Sequence, residues 1–392
     1  MRVSRCAARI AAVFLALSGF AAAADAQLMI IGNDQKPTLD AQRKTTMGPM
    51  GKDTLSIIDM SDPAALRIIA TIPLDNTIIG PPVNLAIAPS RDIALVANSV
   101  NTVEKGGKYV PTPDDRLFVI DLKTSPPAVI DTLHLGKQPS GMAITPNGKL
   151  ALVANRADGT VSVLSIDGKT VKVIGTVTVG KPSDSVSAVA ISPDGKRALV
   201  AKSGGNAIAL LTIDGDKVTY DKRDLPTGIF PYNVVISPDG KIALTADNGN
   251  HGTSDGNAKT VSVIDLTANP VRVINHLTVG DSPEGLAISP KGDIAVAIEA
   301  QGSNQPTSSW FYHKGGNVSV LKIDGTKVTK TQDIMVGQLP EGVVFSADGS
   351  HIYVGNFFDS DLSILQVQGD HVSLAGTFKL PGQPASMRGG PQ

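Results

Sequence analysis

Ala188-Val189-Ala190-Ile191-Ser192-Pro193-Asp194-Gly195-Lys196-Arg197-Ala198-Leu199-Val200-Ala201 reads as strand, tight turn, strand. Pro193 presets φ, Asp194 brings a side chain that bonds its own backbone, and Gly195 supplies the positive φ that ends the turn. The flanking apolar runs are thereby held together as a hairpin. Near-copies begin at Pro82, Pro139, Val186, Pro231, Pro283 and Pro340, and a seventh at Pro384 stops within a few residues. Recurrence every 45 to 57 residues, roughly, marks an array of one supersecondary unit.

Two further strands complete each unit. Val161-Ser162-Val163, Val261-Ser262-Val263 and Val318-Ser319-Val320 alternate as a third strand. A turn such as Asp167-Gly168, Asp214-Gly215 or Asp324-Gly325 leads into a fourth. The first two strands are almost wholly apolar, as in a sheet covered on both faces by its neighbours. In the first strand the small residues Ala86, Ala143, Ala190 and Ala287 alternate with larger ones, as expected where sheets converge on an axis. The predicted fold is all-β, a seven-bladed β-propeller of four-stranded antiparallel blades.

The ends settle the count. Pro384-Ala385-Ser386-Met387 supplies only a first strand. Leu28–Asn33, Thr54–Asp59 and Leu66–Ala70 match second, third and fourth strands. The last blade is therefore expected to be shared between the N- and C-terminal strands, closing the ring without an exposed sheet edge. Residues 1–26 read as a secretion signal: Arg2, Arg5 and Arg9, an apolar run from Ile10 to Ala24, and a small-x-small site at Ala24-Asp25-Ala26. The propeller then occupies 27–392. No later segment is long enough to span a bilayer.

The single cysteine, Cys6, leaves with the signal, so no disulfide, thiol nucleophile or attached haem is expected. Cleavage removes three arginines and one aspartate, taking the net charge from −1 to −3. That balance gives no electrostatic case for nucleic acid or an anionic membrane. No histidine pair has zinc spacing, and His134, His276, His351 and His371 fall in blade strands. The Asp247-Asn248-Gly249-Asn250-His251-Gly252 loop puts Gly249 and His251 where calcium ligands should stand. No G-x-S-x-G or phosphate loop occurs. The expectation is no cofactor, no metal and a monomer in a periplasm or outside the cell.

Leu95-Val96-Ala97-Asn98, Leu152-Val153-Ala154-Asn155 and Tyr353-Val354-Gly355-Asn356 each follow a Ser-Pro-Asp-Gly type of turn. In this the chain resembles the YVTN-repeat seven-bladed propellers over essentially its whole mature length. That resemblance implies the fold but not one function, since such repeats serve as binding, surface and scaffold modules and accompany enzymes. A more distant likeness is to the lactonase-type propellers, some of which hydrolyse sugar lactones. Their repeats carry Arg-His at the inner mouth, where this chain has Pro139-Ser140-Gly141, Pro283-Glu284-Gly285 and Pro340-Glu341-Gly342.

Connections on one face are short turns. Those on the other are long, at 33–53, 99–116, 248–259 and 299–317. Long loops in a compact domain commonly carry a site, although they can also be ornament. Within 299–317, Trp310, Tyr312 and His313 gather the only tryptophan with other rings. They read either as a stacking platform for a ligand or as a pin holding the loop, and the two are compatible.

Glu284 and Glu341 take the same position in consecutive blades, beside Tyr232, where other blades have Val83, Ser140, Ser187 and Ala385. Two such carboxylates can hold a cation or share a proton. Alternatively they are a solvated pair at the rim of a water-filled tunnel. Asn84 and Asn233 stand one position along, and Arg388 fills a slot that is Ala or Val in every other blade.

Two functional readings follow. In one, a protein or small-molecule partner binds the long-loop face and the propeller does no chemistry. In the other, Glu284 or Glu341 is the general base of a lactonase-like hydrolase, with Arg388 or His313 steadying the oxyanion.

Overall fold

The computed structural model describes residues 27–390, and the segment 1–26, read above as a secretion signal, lies outside the described residues. Seven four-stranded antiparallel sheets, here blades I to VII, surround an axis. Their innermost strands are Leu85–Ile87, Pro139–Ile144, Val186–Ile191, Pro231–Ile236, Pro283–Ile288, Pro340–Phe345 and Pro384–Gly389. In blades I to VI the chain runs outward from the axis in sequence order. In blade VII the innermost strand is C-terminal and pairs with Leu28–Asn33, Met29 facing Gly389 and Gly32 facing Ser386. Thr54–Asp59 and Arg67–Pro73 complete that blade.

Packing follows from the sequence pattern. The strands buried on both faces present apolar side chains to the blades before and after them. Seven hydrophobic clusters result, one at each blade-to-blade junction. The junction of blades VII and I joins Leu28, Ile30 and Ile57 to Leu85, Val96 and Ile120, so the ring closes on apolar burial as well as on strand pairing. At about 1.5 to 3 kcal/mol for each large aliphatic side chain, these junctions dominate the favourable side of folding.

The repeated turn has a second role. Gly195 is at φ 70°, and its amide donates to the Ser192 carbonyl at 2.8 Å. The Ser192 hydroxyl sits 2.5 Å from Asp194, which fixes the turn from inside. On the outside, a Cβ at Gly148 would lie 3.4 Å from Pro89, and one at Gly240 3.4 Å from Pro193. Each turn is thus seated against the proline of the preceding blade.

Two details depart from the sequence reading. The innermost strand of blade I is only three residues long, and ahead of it the chain turns, the Val83 amide donating to the Pro81 carbonyl at 2.7 Å. Closure also leaves edges. The outermost strands are unpaired on their outer side, and each blade has a register shift between its third and fourth strands, as between Val163 and Leu164 or Val320 and Leu321. Such irregularities twist an edge away from further pairing.

Candidate functional site

The second residue of each repeat forms a ring at the long-loop end of the axis: Val83, Ser140, Ser187, Tyr232, Glu284, Glu341 and Ala385, all buried. The bore is therefore sealed at that end. Glu284 is 4 % exposed and Glu341 3 %, so the pair is not a solvated rim; the loops have taken it out of water.

Glu284 is the better supported of the two. Asn248 Nδ2 donates to its Oε1 at 3.0 Å and the Ser282 hydroxyl donates to the same oxygen at 3.2 Å. Burial pushes its pKa up to about 7, with Ser282, Asn248 and the Arg156 charge pulling the other way. Glu341 has no such donors, and its Oε2 is unpartnered. Burial and then the charge of Glu284 hold it well above the ordinary carboxylate range. Glu341 is thus held toward its protonated form by burial and by its neighbour Glu284, and the two titrate together.

Around the pair stand groups that sequence inspection passed over. Arg156 donates through Nε to the Ser185 hydroxyl at 2.8 Å, and its guanidinium lies 5.6 Å from the centre of the Tyr232 ring. Tyr232 stacks on Phe230, and burial pushes its phenol pKa further up. Arg156 was detectable in principle. It follows the last residue of the second strand, a position filled elsewhere by Asp34, Ser99, Ser203, Asn248, Ala300 and Phe357, so it is the one cation of that ring.

The long loops are built structures. Residues 33–53 contain a hairpin, Pro37–Leu39 with Thr45–Met47, and residues 99–116 another, Val100–Lys105 with Lys108–Pro113. The first is rooted by Lys36, buried between Asp34 at 2.8 Å, Asp53 and the Asn76 carbonyl. Thr102 of the second hairpin donates to the Gly48 carbonyl at 2.8 Å. Across the face, Arg43 at the tip of the first hairpin donates to the Ser303 carbonyl at 2.7 Å and to Gln338 at 2.6 Å, with its guanidinium over the Tyr312 ring. Ser254 receives the Gly302 amide at 3.0 Å. Four loops from different blades form one lid over the acid pair.

The other candidates scatter. Trp310 is 78 % exposed, one edge of its indole against Gly256, where a Cβ would lie 2.5 Å from the ring. His313 is exposed and contacts the carbonyls of Gln301 and Phe311 through Nδ1. Asn84 donates to Asn76 at 3.2 Å and to the Ala97 carbonyl at 2.8 Å, a structural role. Asn233 lines the bore below the ring. Arg388 is not brought to Glu341. It stands three residues further along its strand, roughly 10 Å at the usual strand rise, and donates to the Leu85 and Met142 carbonyls instead, both at 3.3 Å.

No protein-family model matches the sequence, and no curated protein matches it. Similarity appears among solved structures. The periplasmic gluconolactonase of Pseudomonas aeruginosa superposes with a TM-score of 0.66 at 17 % identity, covering 93 % of this chain and 99 % of that one. A candidate 6-phosphogluconolactonase from Bacteroides uniformis gives 0.64 at 14 % identity, over 93 % and 99 %. Kuenenia stuttgartiensis hydrazine synthase gives 0.57 at 23 % identity, over 75 % and 78 %. At these identities the likeness is one of fold: this chain is a seven-bladed propeller with lactonase-like structural neighbours. No helix among the described residues is long and apolar enough to cross a membrane.

Proposed function

We propose that this chain is an exported propeller of the YVTN-repeat type that binds a protein or ring-bearing ligand on its long-loop face. The observation that carries the reading is Trp310. Its indole is held out to solvent by a lid that is itself fastened at Arg43, Ser254 and Gly256. An exposed aromatic on a rigid support loses little entropy on binding and has apolar surface to bury. The test is capture of partners from the native envelope fraction by wild-type protein and by Trp310→Ala with Tyr312→Ala. Partners lost with the double variant support the reading, and identical capture overturns it. The lone tryptophan also makes intrinsic fluorescence a direct reporter at this position.

A second reading, lactone hydrolysis, is favoured by one feature of the site. A carboxyl pushed up to about 7 beside one held toward its protonated form has the pairing that general acid–base chemistry uses. The lactonase-like structural neighbours fit it. It requires the lid to open, because neither carboxyl reaches solvent as the loops stand. A panel of sugar and aryl lactones decides: turnover abolished by Glu284→Gln and Glu341→Gln supports it, and no turnover removes it.

A further inference from the structure

The bore below the acid ring has a character of its own. At the fifth position of the repeat six blades place Ala86, Ala143, Ala190, Val235, Ala287 and Val344, and blade VII alone places a cation, Arg388. Its side chain reaches round the inner ring, from blade VII to the carbonyls of Leu85 in blade I and Met142 in blade II. Both contacts are long at 3.3 Å, and together they use two of its five N–H groups. Among the described residues no carboxylate acts on its charge, and burial lowers its pKa to about 10. It therefore keeps its charge at neutral pH, deep inside the ring yet still half-buried rather than sealed.

Two voids meet at this guanidinium. One of ≈ 580 Å³ lies against blades I to IV and reaches the prolines of the short-turn face, Pro89, Pro146, Pro193 and Pro238. Another of ≈ 340 Å³ lies against blades IV to VII. Arg388, Val235 and Pro238 border both. The second void also holds a second orphan donor. Asn233 is 1 % exposed, its Oδ1 takes the Val234 amide at 2.8 Å, and its Nδ2 has no partner. Unpaired donors cost stability when buried, more so when charged, and are retained where something arrives to satisfy them.

We infer that the axial bore binds a small organic carboxylate entering from the short-turn face, its head on Arg388 and Asn233 and its apolar body along the Ala, Val and Ile walls. Guanidinium and carboxylate match in a two-point geometry, and voids of this size suit a small molecule. The smaller void reaches up to Val83 and Gly285 beside the acid ring, but neither glutamate lines it.

The experiment is calorimetry and thermal shift on the full chain with hexanoate, hexanamide and acetate as probes. Hexanoate is expected to bind and raise Tm, with hexanamide and acetate each at least tenfold weaker. Arg388→Met, whose apolar side chain removes the burial penalty and so keeps the fold, is expected to abolish hexanoate binding. Val235→Phe, which narrows both voids without touching the guanidinium, is expected to weaken it at least tenfold. Absence of hexanoate binding, unchanged binding to Arg388→Met, or equal affinity for hexanamide would each overturn the inference.

Discussion

The Arg43 guanidinium donates to the Ser303 carbonyl at 2.7 Å across 260 residues of sequence, joining the hairpin that grows from blade VII to the loop that grows from blade V. This bond, with those to Gln338 and Gln305, is what ties the lid across the axis. Replacing Arg43 by Ala leaves three acceptors unserved and removes the cation from Tyr312, at a cost of about 1 to 3 kcal/mol to lid closure. Amide hydrogen exchange is expected to rise in 37–47 and 301–316 while the blade strands stay protected. Uniform exchange across the chain would show that Arg43 supports the whole fold rather than the lid.

Stability is expected to fall as pH rises from about 4.5 towards 8. Glu284 and Glu341 both titrate higher in the folded chain than the ordinary 4.5 of an unfolded glutamate. The folded state therefore holds protons that the unfolded state has released. Their contribution is complete below the unfolded value and is lost as pH climbs through the folded ones. Glu341→Gln, neutral at every pH, is expected to be more stable than wild type at pH 8 and little changed at pH 4.5. Urea midpoints at the two pH values measure this, and a variant–wild-type difference independent of pH would contradict it.

Lys36→Met is expected to be among the most damaging single changes in the chain. It leaves Asp34 and Asp53 facing each other in a buried pocket without their cation. Losing one member of such a buried group costs about 3 to 5 kcal/mol. Adding Asp34→Asn and Asp53→Asn should return much of that, since it removes the stranded charges. Denaturation midpoints that do not recover in the triple variant would refute the account.

Gly342→Ala is expected to loosen ring closure. A Cβ there would lie 2.6 Å from Met387 Cβ and 2.9 Å from the Met387 amide nitrogen, so the C-terminal strand itself must shift. Overpacking of this kind costs roughly 1 to 3 kcal/mol. Gly175→Ala, whose Cβ meets nothing within 4 Å, is the matched control and should be neutral or slightly stabilising. A thermal melt distinguishes the two, and faster exchange in 384–389 of the first variant is the expected signature.

Sequence patterns carried the blades because a strand's side chains alternate and its turns need particular backbone angles. Ser192-Pro193-Asp194-Gly195 reads as a turn, and the alternation of Val161-Ser162-Val163 reads as a strand. Equivalent positions in the repeat also placed Glu284, Glu341 and Tyr232 in one neighbourhood, and all three are buried there. Depth was not legible in the same way. Whether a carboxylate at the end of a bore is wet or dry depends on loops from other blades, and no repeat pattern describes those. Arg388 illustrates the same limit. Its odd identity was visible, but the direction of its long side chain was not.

The amino-acid sequence alone determined the seven blades, their strand order and the shared closing blade, because those follow from short-range alternation and turn chemistry repeated around a circle. Only the tertiary structure decided that the long loops fold into a fastened lid, that the acid pair beneath it is buried, and that Arg388 borders two axial voids. These depend on contacts between segments such as Arg43 and Ser303, whose pairing is set by where the ring happens to place them.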